Sequence, residues 1–304
     1  MAAPGEEQLL QTEQQAAAAS DAAFDRAVGE YGLTAAALAA AAGAVTAAIT
    51  AAVAQAVQIG AVMAGAAAVA AGVVRSRRRR RRGRPSGTVV SPAARHLLQG
   101  PTIGDRVDSV LADADLEDAE DPAAELERIK GRLRTVATDT VNEAASAGVE
   151  DEARRLSADG LIWKAERDGC VHCLGLSGHI VPLGEGFPAD MTFGAKPLTW
   201  RHYDGLPPRH PHCRCRTAPV FGSGEAQSAA LKREAMRSVL RGFSLPSESK
   251  TVRLAAADRL LRSGRARRLP KTAVALSRRA VSQGEFPKAT ELPPTRRAGR
   301  RITR

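Results

Sequence analysis

The first quarter of the chain consists of small apolar and uncharged residues with few interruptions. Residues 6–28 are rich in Ala and Gln, which favour helix, and carry a weak apolar face of Leu9, Leu10, Phe24 and Val28. From Tyr31 to Val74 there are 44 residues without a charge. We therefore expect residues 1–74 to form an Ala-rich helical region.

The charge-free segment 31–74 has two interpretations. A membrane span needs about 20 apolar residues, and the arginines that follow would provide a positive cytoplasmic flank. However, Ala contributes little to insertion, and Thr46, Thr50, Gln55 and Gln58 interrupt the first half. We favour a buried or transiently membrane-active helix over a resident span, and membrane contact through residues 31–74 is retained as an alternative.

The segment 75–104 combines an arginine run with a Gly- and Pro-rich stretch that cannot bury much, which predicts a linker. Arginine runs of this kind, and the basic C-terminal tail as well, are expected to contact DNA phosphates without sequence preference. The candidate nucleic-acid residues are Arg75, Arg77, Arg78, Arg79, Arg80, Arg81, Arg82 and Arg84.

The pattern changes after the linker. Asp121 followed by Pro122 is a helix N-terminal signal, and the apolar residues that follow recur at helical spacing to about Ala147. Gly148 is expected to end this helix, with a shorter helix over residues 150–158. Short strands are expected over residues 161–165 and 216–221.

The C-terminal part is predicted to be helical and basic. Helices are expected over residues 225–241, around Leu254 to Leu261 and over residues 271–281, and residues 285–304 are expected to be disordered. The fold class is therefore α+β and mostly helical. It comprises the Ala-rich helices, the linker, a small mixed domain at 105–222 and a basic tail at 223–304.

Composition supports this fold class. Hydrophobic residues make up 44% of the chain but aromatic residues only 3%, which disfavours a large all-β fold. The net charge of +11 favours polyanionic partners. The charges lie in blocks: residues 105–127 carry ten acids and one arginine, whereas residues 241–304 carry seventeen basic residues and four acids.

All four cysteines lie in one short region, as Cys170-x-x-Cys173 and Cys213-x-Cys215. Four thiolates suit a tetrahedral zinc site. The second pair departs from the usual spacing, because alternate side chains of an extended segment point apart, so His210 or His212 is a substitute ligand. Two disulfides and free thiols are the alternatives to zinc.

These motifs resemble those of the MuF-like phage head-morphogenesis proteins, a family of minor capsid proteins. The resemblance covers about residues 125–220 and includes a helix with Thr138, Thr140, Asn142 and Ala145. Ser177 and His212 depart from the family pattern. The residues that carry the resemblance are Trp163, Glu166, Asp168, Cys170, Cys173, Leu176, Gly178, Pro207, Pro208, His210, Pro211, Cys213, Arg214 and Cys215.

The resemblance implies a structural protein of the virion that acts in head assembly at the portal, with portal and capsid proteins as partners and the host cytoplasm as the place of assembly. It implies no catalytic residues, and we expect no enzyme. A membrane-active DNA-ejection protein is one alternative. A capsid maturation protease is the other, with Ser177, His179 and Asp168 as its trio, but Ser177 lacks the Gly-x-Ser-x-Gly context.

Overall fold

The computed structural model describes residues 5–31, 34–71, 101–114, 119–197, 203, 205–242 and 248–286. The described residues form eight α-helices, one 3₁₀ helix and a three-stranded antiparallel sheet, which confirms the α+β, mostly helical class. Three apolar clusters lie in the helical bundle, around the cysteines and among the C-terminal helices.

Four helices form the bundle: α1 (Glu6–Tyr31), α2 (Ala35–Ala70), α3 (Pro101–Ala112) and α4 (Pro122–Arg155). The hydroxyl of Thr34 caps α2 by accepting a hydrogen bond from the amide of Ala37 at 3.2 Å. The carboxylate of Asp121 caps α4, and Pro122 occupies its first turn, as the sequence predicts. Helix α3 begins at Pro101, so the last four residues of the predicted linker are helical.

One face of α2 is buried in the bundle, and the rest is accessible. The buried face repeats every three or four residues, and its members are Ala37, Ala41, Val45, Ile49, Val53, Ala56, Ile59, Ala64 and Ala68. Val62 and Val69 are more than half exposed. By length and composition, Ala36–Ala70 is the one described helix that could cross a membrane, and soluble core helices also meet this test.

Helix α4 is continuous through Gly148, so the predicted end at Ala147 and the separate helix over 150–158 are wrong. Gly148 lies where α2 crosses α4: a Cβ there would be 2.2 Å from the carbonyl oxygen of Val57. Reciprocally, a Cβ on Gly60 would be 2.1 Å from the carbonyl oxygen of Ala145. The two glycines allow close approach of two backbones and do not terminate a helix.

The sheet follows α4. Strand β1 (Gly160–Lys164) lies in the centre, between β2 (Ile180–Val181) and β3 (Arg216–Val220), and both pairings are antiparallel. This confirms both predicted strands and the edge position of the second. Trp163 of β1 is fully buried, with its ring 5.2 Å from that of Phe187. The short helix α5 (Val171–Leu176) lies between β1 and β2 and carries the first cysteine pair.

The C-terminal helices are α6 (Glu225–Arg241), α7 (Lys250–Arg262) and α8 (Lys271–Gln283), with the 3₁₀ helix Arg265–Arg268 between the last two. They bury Val171 and Leu174 of α5 in the third apolar cluster. The helical part of the predicted tail therefore packs against the cysteine region. The predicted disorder over 285–304 falls mainly outside the described residues, as does the arginine run Arg75–Arg84.

Candidate metal centre

The structure brings both cysteine motifs into one buried cluster. Cys170 is the N-cap of α5, and its sulfur accepts a hydrogen bond from the amide of Cys173, which places both thiols on the same side of the helix start. The second motif arrives from the loop before β3. Cys213 and Cys215 are 3% and 2% exposed, respectively. Three sulfurs, those of Cys173, Cys213 and Cys215, lie within 4.8 Å of one another.

The Cys-x-Cys spacing is compatible with joint contact because this loop is not a regular strand. The amide of Cys213 donates to the carbonyl of His210 at 3.0 Å, and His212 has a left-handed φ of 61°. The chain therefore turns between the motif residues, and the alternation expected of an extended segment does not apply. The sulfurs of Cys213 and Cys215 therefore lie within 4.8 Å of each other despite the Cys-x-Cys spacing.

Helix α4 holds this turn in place. The side-chain amide of Asn142, which is 1% exposed, donates to the carbonyl oxygen of Cys213. The carboxylate of Asp139 accepts from the backbone amide of His212 at 3.1 Å. Burial, followed by the charges of Cys213 and Glu143, raises the pKa of Asp139 to about 8. Two polar residues of one helix thus fix the backbone of the second cysteine pair.

His210 joins the cluster and His212 does not. The Nε2 atom of His210 lies 3.2 Å from the sulfur of Cys170 and 3.1 Å from that of Cys173. The ring of His212 points the other way, with its Nε2 atom 3.4 Å from the hydroxyl of Thr135. Of the two substitute ligands that the sequence suggests, only His210 is placed to bind a metal.

The sulfur separations match a metal site, and no two of the four thiols lie at disulfide distance. The sulfurs of Cys173 and Cys213 are 3.7 Å apart, and all four thiols are free. A disulfide requires about 2.05 Å, whereas the edge of a zinc–thiolate tetrahedron with bonds of about 2.3 Å is about 3.8 Å. The cluster lines a cavity of about 10 Å³, together with Glu166, Asp168, Gly169 and Arg214. This volume is close to that of one ion or water.

The second nitrogen of His210 supports the same interpretation. Its Nδ1 atom lies 2.8 Å from the carbonyl oxygen of Pro211, to which it donates. In the neutral ring, the lone pair is therefore on Nε2 and faces the sulfurs, which is the usual arrangement of a zinc-bound histidine with a carbonyl as its outer partner. Five donor atoms in two overlapping groups thus surround the cavity, with Cys173 common to both groups.

In the metal-free cluster, the thiols and His210 shift one another's pKa values. The hydrogen bond with Cys173 lowers the pKa of Cys170 to about 4, assisted by His210 and opposed by burial. Burial disfavours a charged His210, but the hydrogen bond with Cys170 and the thiolate charges outweigh it and raise the pKa of the imidazole to about 9. At neutral pH, Cys170 and Cys213, whose pKa values are both lowered, therefore hold the thiolate form that binds metal. Burial raises the pKa of Cys173. The hydrogen bond with Cys173 lowers the pKa of Cys215, but the hydrogen bond with Cys213 and burial outweigh it and raise that pKa, so Cys173 and Cys215 lose their protons only when metal binds.

The C-terminal helices supply an outer layer that the sequence did not reveal. Arg253 of α7 is 1% exposed and donates to the carbonyl of Gly169 at 2.8 Å. Glu248 pairs with Arg253 at 3.0 Å and accepts from the amide of Val171 at 2.7 Å. This buried ion pair holds the backbone on both sides of Cys170. Nothing in the sequence distinguishes these two residues from the other charged residues of the basic tail.

Comparison of the chain with protein-family models, curated proteins and solved structures finds no match. The geometry and the motifs of the chain are therefore the evidence on its function.

The residues of the alternative hydrolase trio are engaged separately. The hydroxyl of Ser177 donates to the carbonyl of Leu231 at 3.4 Å, and Asp168 forms an ion pair with Arg214. The ring of His179 lies edge-on to that of Phe187, with centroids 6.3 Å apart. These contacts favour structural roles for the three residues.

Proposed function

We propose that Cys170, Cys173, Cys213 and Cys215 hold one structural zinc ion, with His210 either hydrogen-bonded to the thiolates or replacing one of them. The observation that carries this proposal is the convergence of the buried sulfurs of Cys173, Cys213 and Cys215 within 4.8 Å of one another, with 3.7 Å between those of Cys173 and Cys213. Zinc would crosslink α5 to the loop before β3. Such a crosslink compensates for the small number of aromatic residues available to this part of the core.

We propose further that the chain is a structural minor head protein of a tailed phage or prophage, acting in capsid assembly at or near the portal and not as an enzyme. The support for this proposal is the resemblance of the Cys-x-x-Cys and closing Pro-Pro-x-His-Pro-x-Cys-Arg-Cys motifs to those of the MuF-like head-morphogenesis proteins. The members of the closing motif also act as a structural unit. Arg209, within the motif, is 1% exposed and donates to the carbonyls of His172 and Met191. The motif thus ties the loop to the first cysteine pair by side-chain contacts as well as by the cluster.

The zinc proposal is tested on the full chain purified without added metal. Native mass spectrometry, elemental analysis and a free-thiol count are expected to give one zinc per chain and no disulfide. The Cys213→Ser variant is expected to lose the metal, whereas His212→Ala keeps it, because the ring of His212 points away from the cluster. The proposal would be refuted if the protein as purified holds no metal and has four reactive thiols, and if its melting curve is the same with and without zinc.

The head function is tested in particles. Quantitative mass spectrometry of purified virions, or of particles from an induced prophage that encodes this chain, is expected to find it at low copy number together with the portal protein. Cross-linking before disassembly is expected to join the two proteins. Absence of the chain from DNA-filled particles would contradict a role as a virion component.

Membrane-active DNA ejection is the second candidate, and the exposed apolar surface of α2 favours it. Val62 and Val69 are 55% and 58% exposed. In an apolar 18-residue stretch of this helix, only 28% is buried. Leakage of dye from liposomes on addition of the full chain would support this function. Intact liposomes, under conditions in which the chain remains folded, would argue against it.

A further inference from the structure

The most asymmetric charge distribution in the described part of the chain lies on its last two helices. Between Asp258 and Glu285 there are eight basic residues and no acid. Seven of them are exposed at the surface, and Arg259 is half-buried. We name this set the basic face; it comprises Arg259, Arg262, Arg265, Arg267, Arg268, Lys271, Arg278 and Arg279.

Most of the basic face is not neutralised by the fold. Among the described residues, Arg267, Arg268, Lys271 and Arg278 form no ion pair, and only Arg262 of the set does, with Asp258. Three exposed arginines of α4 behave differently: Arg128, Arg154 and Arg155 each pair with an acid three or four positions away. A set of cations without internal partners is suited to an external anion.

The basic face is rigid because its apolar neighbours are buried. Ala266 and Leu269 of the 3₁₀ segment are 3% and 6% exposed, and Ala273 and Ala280 anchor α8. Arg265 also lies over the ring of Phe193, with 5.5 Å between its guanidinium carbon and the ring centroid. The cations are thus presented on an ordered surface, which lowers the entropy cost of binding.

The geometry fits an extended polyanion. Arg265, Arg267 and Arg268 rim a cavity of about 490 Å³ that Ser263 and Met236 also line, without a carboxylate. Lys271 and Arg278 lie seven positions apart on one side of α8, which is about 10.5 Å along the helix axis. A single phosphate would contact only part of this surface, whereas a nucleic-acid strand would pass along it.

We propose that the basic face binds the phosphate backbone of duplex DNA without sequence preference; DNA as its partner in the particle rests on the proposed head function. Seven of the eight cations are arginines, whose planar groups bind phosphate by two hydrogen bonds. The acidic block of a second copy is the weaker occupant. Three of its described acids are already paired, Asp113 with Arg132, Glu125 with Arg128 and Glu127 with Lys130.

The test uses the full chain and a labelled 30-base-pair duplex of mixed sequence, with affinity measured by fluorescence anisotropy over a range of NaCl concentrations. The triple variant Arg267→Gln, Arg268→Gln and Lys271→Gln removes three cations that have no ion-pair partner among the described residues. The matched control is Arg128→Gln, Arg154→Gln and Arg155→Gln, which removes the same charge from the surface of α4. Melting curves of both variants establish that they are folded.

Each phosphate contact contributes about 0.9 to the slope of log affinity against log salt, so three contacts contribute about 2.7. We expect the first variant to lose about 2.7 from the slope and roughly 10- to 100-fold in affinity at 0.15 M salt. The control variant should keep the slope of the parent chain. Equal effects of the two variants would overturn the proposal, since the contribution would then be one of net charge alone.

A different partner would give a different pattern. If sedimentation shows that the first variant loses self-association while DNA binding is unchanged, the basic face meets an acidic protein surface and the DNA assignment is wrong. Failure of the head proposal can be distinguished from failure of the DNA proposal. In that case the particles would lack the chain, but the purified protein would still bind DNA through the basic face.

Discussion

Replacement of Gly148 by alanine tests the close approach of α2 and α4 by the sign of its effect on stability. If Gly148 were an exposed position inside the helix, alanine would stabilise the helix by about 1 kcal/mol. In the structure, the added Cβ would lie 2.2 Å from the Val57 carbonyl oxygen and 2.9 Å from its carbon. Because these are backbone atoms, they cannot rotate away, and α2 must move from α4 by about 1 Å.

The cost of this movement follows from the packing that it loosens. A gap of 0.5–1 Å forfeits roughly a quarter to a half of the dispersion energy of each contact, and overpacked sites cost about 1–3 kcal/mol. After the gain in helix propensity, we expect Gly148→Ala to lower the free energy of unfolding by about 2 kcal/mol and the melting temperature by about 4–8 °C.

A matched control lies on the same helix. Gly131 of α4 has no atom within 4 Å of its would-be Cβ, so Gly131→Ala should raise the melting temperature by about 2–4 °C. Differential scanning calorimetry of the two variants beside the parent chain provides the measurement. A rise for both variants would refute the close approach of α2 and α4 at this point.

The remaining predictions concern the metal centre. Protons compete with metal for thiolates, and the hydrogen bond with Cys173 lowers the pKa of Cys170 to about 4. Bound metal should therefore be retained at pH 7 and released as the pH falls below about 5. The release is measured with a chromogenic chelator. Glu248→Gln removes the charge partner of buried Arg253. We expect it to lower the free energy of unfolding in urea by about 3 kcal/mol and to speed metal loss to a chelator. The control Glu285→Gln, at an exposed site, should do neither. Asn142→Ala deprives the Cys213 carbonyl of its donor and should cost about 1–3 kcal/mol; an unchanged urea midpoint would exclude this hydrogen bond.

Much of the fold could be predicted from local signals. The Asp121–Pro122 cap, strand β1 and the bounds of α6 depend on residues adjacent in sequence, and the structure has them as expected. The continuity of α4 could not be predicted in the same way. A glycine at a helix end and one at a helix crossing have the same local sequence, and only the approach of Val57 distinguishes them.

The candidate site divides similarly. The four cysteines and His210 could be named from their spacing and residue types alone. The choice of His210 over His212 depends on the turn at His212, whose φ of 61° directs the neighbouring side chains. The Glu248–Arg253 pair could not be predicted, because the contact with the backbone beside Cys170 joins residues about 80 positions apart, where sequence periodicity carries no information.

The continuity of α4 has a consequence for how the molecule unfolds. Its 34 residues span about 51 Å, with Ile129 and Leu133 in the core of the bundle and Val149 and Ala153 in the core around the cysteines. Opening of either core exposes part of the same helix, so the two cores share one cooperative unit. Loss of metal from the cysteine cluster should therefore speed amide hydrogen exchange in the N-terminal half of α4, which is distant from the cluster.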